Sequence, residues 1–165
     1  MSIRILGIDP GSRVTGYGVI VSDGRHSRYL ASGCVRTAGE SFPDRLGDIF
    51  RGIGAVVEQH RPQQVAVEQV FMARNAGSAL KLGQARGAAI VAAVNLGLPV
   101  FEYSPRSVKQ ALVGSGAAEK EQVQHMIRVL LGCQERMSLD ESDALALALC
   151  HAHSHMNLQR LGGLA

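Results

Sequence analysis

Acidic side chains stand at the ends of three apolar stretches of this sequence. Asp9 closes the stretch ILGID, Glu68 closes VAVE, and Asp140 and Asp143 open SLDESDALALAL. A carboxylate beside a core is costly unless something pairs with it, whereas clustered carboxylates are typical ligands of Mg²⁺ or Mn²⁺. Two such ions about 3.5–4 Å apart are a recurrent device for in-line phosphodiester chemistry. These four acids are therefore candidate metal ligands, provided that the fold brings them together.

Each acid, taken alone, also has a simpler structural interpretation. Asp9 precedes Pro-Gly-Ser, which is typical of a turn. Acids in a first helical turn complement the helix dipole, which would account for Asp140 and Asp143. Ser138 and Glu141 fit a capping box at the same helix start. The hypothesis of a metal site thus depends on the four acids as a set.

The elements that must position these acids follow from hydrophobic periodicity and from breakers. Continuous or β-branched apolar runs predict strands, and stripes at helical spacing predict helices. The predicted strands cover 3–8, 14–21, 27–37, 64–69 and a run from 99, and the predicted helices cover 43–60, 76–95, 105–112, 119–131 and 139 to about 153. This order predicts an α/β domain over 1–156 with a mixed sheet, followed by a flexible tail over 157–165. If the first and fourth strands are parallel neighbours, Asp9 and Glu68 emerge at the same sheet edge.

Composition and charge narrow the class of protein. The chain has 165 residues, 46% of them hydrophobic, which suits one aliphatic-core domain. The formal net charge is +3. The segment between Gln69 and Ala118 has Glu102 as its only acid and contains five basic residues, Arg74, Lys81, Arg86, Arg106 and Lys109. This local excess of positive charge favours an anionic partner. The three cysteines, Cys34, Cys133 and Cys150, form no C-x-x-C pair, which predicts free thiols. The sequence also shows no signal-peptide or membrane-span pattern, and together these features predict a cytoplasmic protein.

Four long blocks of the sequence resemble one family. They read GIDPGSRVTGYGVI, VEQVFMARNAGSALKLGQARGAAIVAA, FEYSPRSVKQALVGSGAAEKEQVQHM and DESDALALA, and together they extend over residues 5–151. In order and content they resemble the RuvC family of bacterial Holliday-junction resolvases. The resemblance implies a ribonuclease-H-like fold, with a five-stranded mixed sheet flanked by helices. It also implies a homodimer that makes paired symmetric nicks in four-way DNA junctions during recombination and repair, beside the RuvA and RuvB proteins.

The same resemblance assigns roles to the candidate active-site residues. The family's acidic tetrad maps onto Asp9, Glu68 and the two aspartates of the last helix, and it would hold two Mg²⁺ ions, which Mn²⁺ could replace. Lys109 and Lys120 match basic catalytic-support residues near the scissile phosphate. Hydrolysis would leave 5′-phosphate and 3′-hydroxyl ends. Without the resemblance, each lysine is an ordinary surface residue.

Three further residues are candidates for holding DNA. Phe71 matches a family aromatic that engages the junction, and an exposed aromatic stacked on bases is worth about 1–3 kcal/mol per base. Arg74 and Lys81 are placed to share a helix face suited to phosphates. Arg86, on the same predicted helix, could equally be a solvated surface charge.

Two other functions fit parts of the pattern. A strand ending in Asp before Gly and Ser also occurs in phosphotransferases of the actin and sugar-kinase type. Those enzymes need two such domains around a nucleotide, and this chain has one copy of the motif. A catalytically inactive junction-binding module is the other alternative, and the presence of all four acids argues against it.

Two remaining patterns favour structural interpretations. The tract HAHSH, with His151, His153 and His155, resembles a short metal-binding tract, but its alternation scatters the side chains around a helix, which predicts a surface tail. The small residues of the predicted helix over 76–95, including Gly83 and Gly87, permit close packing. Whether they pack on the sheet or on a second subunit stays open at this level.

Overall fold

Within the part of the chain that the structure describes, the fold consists of five strands and five helices. The computed structural model describes residues 1–70 and 75–162, with side chains as far as residue 155. The strands are β1 (Ile3–Asp9), β2 (Val14–Ser22), β3 (Ser27–Arg36), β4 (Gln64–Glu68) and β5 (Val100–Tyr103). The helices are α1 (Phe42–His60), α2 (Ala76–Asn95), α3 (Pro105–Val113), α4 (Lys120–Leu131) and α5 (Leu139–Gly162). The predicted order of elements is confirmed.

The strands form one mixed sheet in the order β3-β2-β1-β4-β5. The first three strands are an antiparallel meander, in which Asp9 pairs with Gly16. β1 and β4 run parallel, with Ile8 opposite Val67, and β5 continues parallel to β4. The carboxyl ends of β1, β4 and β5 therefore meet at one sheet edge, which is where ligands bind in open α/β sheets.

Alternate side chains of the strands pack into two separate hydrophobic cores, one on each face of the sheet. Ile5, Ile20 and Ala66 face α3, α4 and α5 on one side of the sheet. Leu6 and Val67 face α1 and α2 on the other side. Because successive strand residues point to opposite faces, a continuous apolar run such as that of β1 is what a strand covered on both sides requires.

Helix α5 lies unusually close to β1 and β2. A Cβ atom added to Gly7 would overlap the carbonyl of Ala144, and one added to Gly16 would overlap the carbonyl of Asp140. Only glycine leaves room for the helix backbone at these two positions. The sheet therefore carries the first turns of α5, and with them its two aspartates, directly beside the end of β1.

The C-terminal part of the chain departs from the prediction. α5 continues to Gly162, so the predicted helix end near His153 was too early, and residues 157–162 of the predicted tail are helical. The division into a domain over 1–156 and a tail stays a prediction. The surface interpretation of the histidine tract is wrong for His151, which is 1% exposed, because both of its ring nitrogens have partners in the core. In the part of the chain that the structure describes, no helix is long and apolar enough to cross a membrane.

Candidate active site

A cavity of about 240 Å³ opens at the carboxyl ends of β1 and β4. Its polar lining consists of the side chains that the sequence singled out, three acids and two bases: Asp9, Glu68, Asp143, Lys109 and Lys120. The remaining wall is apolar and comes from α3, α4 and α5, for example Val108, Val123 and Leu147. Acids from three separate elements therefore meet in one cleft whose lining is partly apolar.

Local structure explains how each acid reaches the cavity. Asp9 and Glu68 are the last residues of the parallel strands β1 and β4, so their side chains leave the sheet at the same level. Asp143 lies in the second turn of α5, whose start is fixed by a capping box. In that box the Ser138 N–H donates to Glu141 Oε2 at 2.8 Å, and the Glu141 N–H donates to Ser138 Oγ at 3.2 Å.

Asp140 takes a position slightly apart from the other three acids. It is half-buried, its backbone packs against Gly16, and Gly16 is the residue opposite Asp9 in the sheet. Its negative charge contributes to raising the pKa of Asp9. The tetrad predicted from the sequence thus converges, with Asp140 beside the cavity rather than in its lining.

Electrostatic repulsion is concentrated on Asp9. Burial, followed by the charges of Asp143, Glu68 and Asp140, raises the pKa of Asp9 from 3.8 to about 7, and only Lys120 acts in the opposite direction. Burial and the Asp143 charge likewise raise the pKa of Glu68. Like charges held together in a cavity are unfavourable until a cation joins them. The group is therefore poised to bind positive charge.

The two lysines differ in how they meet the acids. Lys120 is exposed and donates to Asp143 Oδ2 at 3.3 Å, which opposes the rise that burial causes in the pKa of Asp143. Lys109 is half-buried in the cavity wall. Two lysine ammonium groups in the lining of a carboxylate-containing cavity are suited to contact a phosphate group.

The donor set fits a hard divalent cation. Across residues 1–70 and 75–155, no three acidic, imidazole or thiol groups are close enough to form a complete metal cluster. The carboxylates of Asp9, Glu68 and Asp143 nevertheless share one cavity, and their oxygens are the ligands that Mg²⁺ and Mn²⁺ prefer. Burial and, after it, the charges of three neighbouring carboxylates raise the pKa of Asp9, and a bound cation would relieve the repulsion among these carboxylates.

Of the three further candidates for holding DNA, the structure describes Lys81, which does not line the cavity. Phe71 and Arg74 lie outside the described residues. Lys81 is exposed on α2, and its Nζ lies 5.9 Å from the centroid of the Phe42 ring, a cation–π distance. Its assignment to a phosphate-binding face stays a prediction.

Two supporting residues were missed or undervalued at the sequence level. Arg86 is not a solvated charge: its Nε donates to the carbonyl of Glu68 at 2.7 Å. Glu141, expected only as a cap, also accepts from Ser32 Oγ at 2.9 Å and so ties α5 to β3. The spacing of Ser138 and Glu141 predicted the capping contact. The contacts of Glu141 with Ser32 and of Arg86 with Glu68 join residues far apart in the chain, so no local pattern indicates them.

Comparisons with known proteins agree with this geometry. The family model described as "Crossover junction endodeoxyribonuclease RuvC" matches residues 5–151. A protein of that name from Shewanella amazonensis is 58% identical over 98% of this chain and 93% of its own length. A protein of the same name from Photorhabdus laumondii is 60% identical over 96% of this chain and 91% of its own length.

Solved structures agree in the same way. Thermus thermophilus RuvC in complex with Holliday junction substrate has a TM-score of 0.88 and 40% identity, covering 94% of this chain and 96% of its own. The yeast mitochondrial Holliday junction resolvase Ydc2, at 13% identity and a TM-score of 0.66, shares the fold. The family match, the full-length relatives and the convergent acids together show that this chain belongs to the RuvC family of crossover junction endodeoxyribonucleases.

Proposed function

We propose that this chain resolves Holliday junctions in recombination and repair, by cutting two opposed strands of a four-way DNA junction at symmetric positions. The observation that carries the proposal is the cavity in which Asp9, Glu68 and Asp143 meet two lysines. One solved structure that is similar to this chain over nearly its whole length is Thermus thermophilus RuvC in complex with Holliday junction substrate. The reaction class is hydrolysis of a phosphodiester.

In the proposed mechanism the four acids, Asp9, Glu68, Asp140 and Asp143, would hold two Mg²⁺ ions. Bound Mg²⁺ would supply an activated water and stabilise charge on the leaving oxygen. Lys109 and Lys120 line the same cavity and would neutralise charge on the scissile phosphate. The apolar wall limits bulk water, which strengthens these charge interactions. Breaking the bond to the 3′ oxygen leaves 3′-hydroxyl and 5′-phosphate ends.

A homodimer would set two such cavities on opposed strands, and α2 offers a surface for it. Leu80, Val91 and Val94 on this helix are each more than half exposed. At 100° per residue they fall on one stripe, with Gly83 and Gly87 between them. A Cβ at either glycine would meet open space, so the fold of one subunit does not explain a residue that costs a helix interior about 1 kcal/mol. Close approach of a second α2 would explain it.

The remaining partners follow from the proposed reaction. Phe71, Arg74 and Lys81 would contact the junction, and RuvA and RuvB would supply and move it. A chromosomal substrate would place the protein in the cytoplasm, in keeping with cysteines that are free in the structure.

Cleavage of a labelled mobile four-way junction in Mg²⁺ tests the proposal. The wild type is expected to give symmetric paired nicks, and Glu68→Gln is expected to slow them by about 10³-fold because one ligand is lost. Glu40→Gln is the matched control, since Glu40 is exposed and away from the cavity. Equal nicking by Glu68→Gln, or binding without nicks in both Mg²⁺ and Mn²⁺, would overturn the proposal.

The same products test the end chemistry and the metal. DNA ligase should seal the paired nicks without prior treatment, because the ends would be 5′-phosphate and 3′-hydroxyl. Cleavage should vanish in EDTA and return with Mg²⁺ or Mn²⁺. Products that need a kinase before ligation would contradict the proposed bond cleavage.

Sedimentation of variants tests the dimer. Val91→Asp should convert the protein to a monomer, because it places a charge in the α2 stripe. Val129→Asp on α4 is the matched control, since Val129 is exposed to a similar degree on a different helix. A wild-type monomer at micromolar concentration, or a Val91→Asp protein that stays dimeric, would refute this interface.

A further inference from the structure

The backbone carbonyl of Glu68 has an unusual partner. It belongs to the last residue of β4 and accepts a hydrogen bond from Arg86 Nε, on α2, at 2.7 Å. A strand carbonyl ordinarily accepts from the neighbouring strand, so a side chain in this place indicates that the ladder is incomplete.

The register of β1 and β4 explains why the ladder is incomplete. Ile8 pairs with Val67, so Asp9 stands opposite Glu68 when the register continues by one residue. In a parallel pair the carbonyl of Glu68 would then accept from the N–H of residue 10. That residue is Pro10, which has no N–H. Arg86 therefore supplies the donor that the sheet lacks at this edge, where β1 ends in Asp9 and β4 ends in Glu68, two of the proposed metal ligands.

A second contact holds the guanidinium in place. Arg86 Nη2 lies 2.8 Å from Glu102 Oε1, on β5. Glu102 stands opposite Val67, one residue before the end of β4. The side chain of Arg86 is 18% exposed, against 49% for Glu102. With its Nε and Nη2 committed and little of its surface in solvent, Arg86 is a brace between α2, β4 and β5 rather than a free phosphate-binding charge.

The geometry points to Arg86 as a positioning residue that holds Glu68 in the orientation needed for binding a divalent cation, with Glu102 orienting the guanidinium. This inference rests on the proposed function, in which Glu68 is a ligand. Freed from Arg86, the end of β4 could twist away from Asp9, and the two carboxylates would no longer be held side by side.

The test measures metal binding as well as cleavage. Mn²⁺ affinity is followed by electron paramagnetic resonance, and nicking of a mobile four-way junction is followed under single-turnover conditions. The variants are Arg86→Gln, Arg86→Lys and Glu102→Gln. Arg45→Gln is the matched control, because Arg45 Nε also donates to a backbone carbonyl, that of Gly39, at 3.1 Å and far from the cavity.

Arg86→Gln is expected to weaken Mn²⁺ binding and to slow nicking by about tenfold or more each, which is the usual effect of removing a group that orients a ligand. Junction affinity in EDTA should stay within about twofold, because no DNA contact is removed. Arg86→Lys, which retains the charge and a donor, should recover part of the loss, and Glu102→Gln should cost less than Arg86→Gln. The control should match the wild type in both measurements.

The outcomes separate this inference from the proposal beneath it. If Arg86→Gln binds Mn²⁺ and cleaves as the wild type does, while Glu68→Gln does neither, the positioning role is refuted and the proposed function stands. A wild type that neither binds Mn²⁺ nor cleaves refutes the proposed function. If Arg86→Gln fails to fold, Arg86→Lys and Glu102→Gln decide: wild-type Mn²⁺ affinity in both would refute the inference.

Discussion

Helix α5 carries two groups of polar side chains that the fold treats in opposite ways. At its start, Asp140 and Asp143 join Asp9 and Glu68, where burial and mutual repulsion raise the pKa of Asp9 to about 7. Further along, His151 is buried with every polar atom partnered. The first group retains mutual repulsion among its carboxylates, whereas the second is a neutral ring with both nitrogens partnered. This is the difference expected between a site kept for binding and a site kept for stability.

The contacts of His151 show how completely a buried polar group can be satisfied. Its Nε2 lies 2.6 Å from Gln64 Oε1, and its Nδ1 lies 2.6 Å from the Tyr103 hydroxyl. Because the amide oxygen can only accept, Nε2 carries the proton and Nδ1 accepts from Tyr103. Burial, with a smaller contribution from His155, lowers the pKa of His151 to about 4, so the ring is neutral. This network joins β4, β5 and α5 in one core.

Removing an acid should break function without harming the fold. Asp143→Asn is expected to slow junction nicking by about 10³-fold, which corresponds to about 4 kcal/mol in the barrier. Its thermal midpoint in EDTA should be equal to or above that of the wild type, because repulsion with Asp9 is relieved. Single-turnover cleavage and thermal unfolding check both parts. Retention of more than a tenth of the cleavage rate would contradict the role of Asp143.

Removing the buried imidazole should have the converse effect. His151→Ala is expected to lower the free energy of unfolding by about 3 kcal/mol, because a cavity forms and two buried partners lose their hydrogen bonds. Nicking per folded molecule should stay within about threefold. Urea unfolding and cleavage at low temperature measure the two effects, and His26→Ala, at an exposed position, is the control. A stability equal to that of the control would show that the network contributes little.

The pH dependence of stability should sharpen the contrast. Asp9 has a folded pKa of about 7 against 3.8 for the free group, so the folded protein binds more protons there and loses stability as pH rises from about 4 to 7. Asp9→Asn should therefore stabilise the metal-free protein by about 2 kcal/mol above pH 7, a value reduced from the full shift for partial exposure. Below about pH 4 the difference should vanish. Denaturant unfolding in EDTA at several pH values checks this.

His151 should act in the other direction over nearly the same range. Its folded pKa of about 4 lies below the ordinary 6.5, so its contribution is complete above pH 6.5 and is lost as pH falls toward 4. The stability gap between the wild type and His151→Ala should narrow in acid, while the gap for Asp9→Asn widens toward alkaline pH. Because Asp9→Asn is the more stable protein of its pair and His151→Ala the less stable, the stability of the wild type minus that of the variant should fall with rising pH for Asp9→Asn and rise for His151→Ala. A change of both differences in the same direction would contradict the assignment of opposite roles.

The smallest effect is expected for Glu141, which is charged like the aspartates of α5 but hydrogen-bonded like His151. Glu141→Gln removes the charge that accepts from Ser32 and from the Ser138 N–H, and should cost about 1 kcal/mol of stability. Nicking should fall only a few-fold, since α5 shifts slightly while its aspartates remain. Thermal unfolding and cleavage measure this, with Glu135→Gln at an exposed position as control. A loss of nicking as large as that of Asp143→Asn would instead place Glu141 in the catalytic group.

Local patterns predicted the elements well because each is determined by nearby residues. The helix over 76–95 begins after Asn75, which caps it through Ser78, and the apolar runs of β1 and β4 match strands covered on both faces. The end of α5 was misplaced because no glycine or proline follows His153 directly to mark it.

The candidate site could be predicted in its chemistry but not in its supports. An acid at the end of an apolar run is visible in the sequence, since desolvation makes it anomalous wherever it occurs. His151 was misread because its partners, Gln64 and Tyr103, are 87 and 48 residues away. Arg86 was undervalued for the same reason, since the missing donor at Pro10 matters only once the register of β1 and β4 is known.

Residue type and hydrophobic period were enough to identify the residues that could do chemistry and the segments that form strands and helices, and long matching blocks were enough to identify the family of the chain. Hydrophobic period and residue type are local properties, and a single chain displays them directly. Tertiary structure was needed to bring Asp9 and Asp143, which are 134 residues apart, into the lining of one cavity. It also decided that one histidine is buried and neutral, and that an arginine replaces a missing sheet donor. These outcomes depend on distances between elements, and such distances exist only after the sheet has formed.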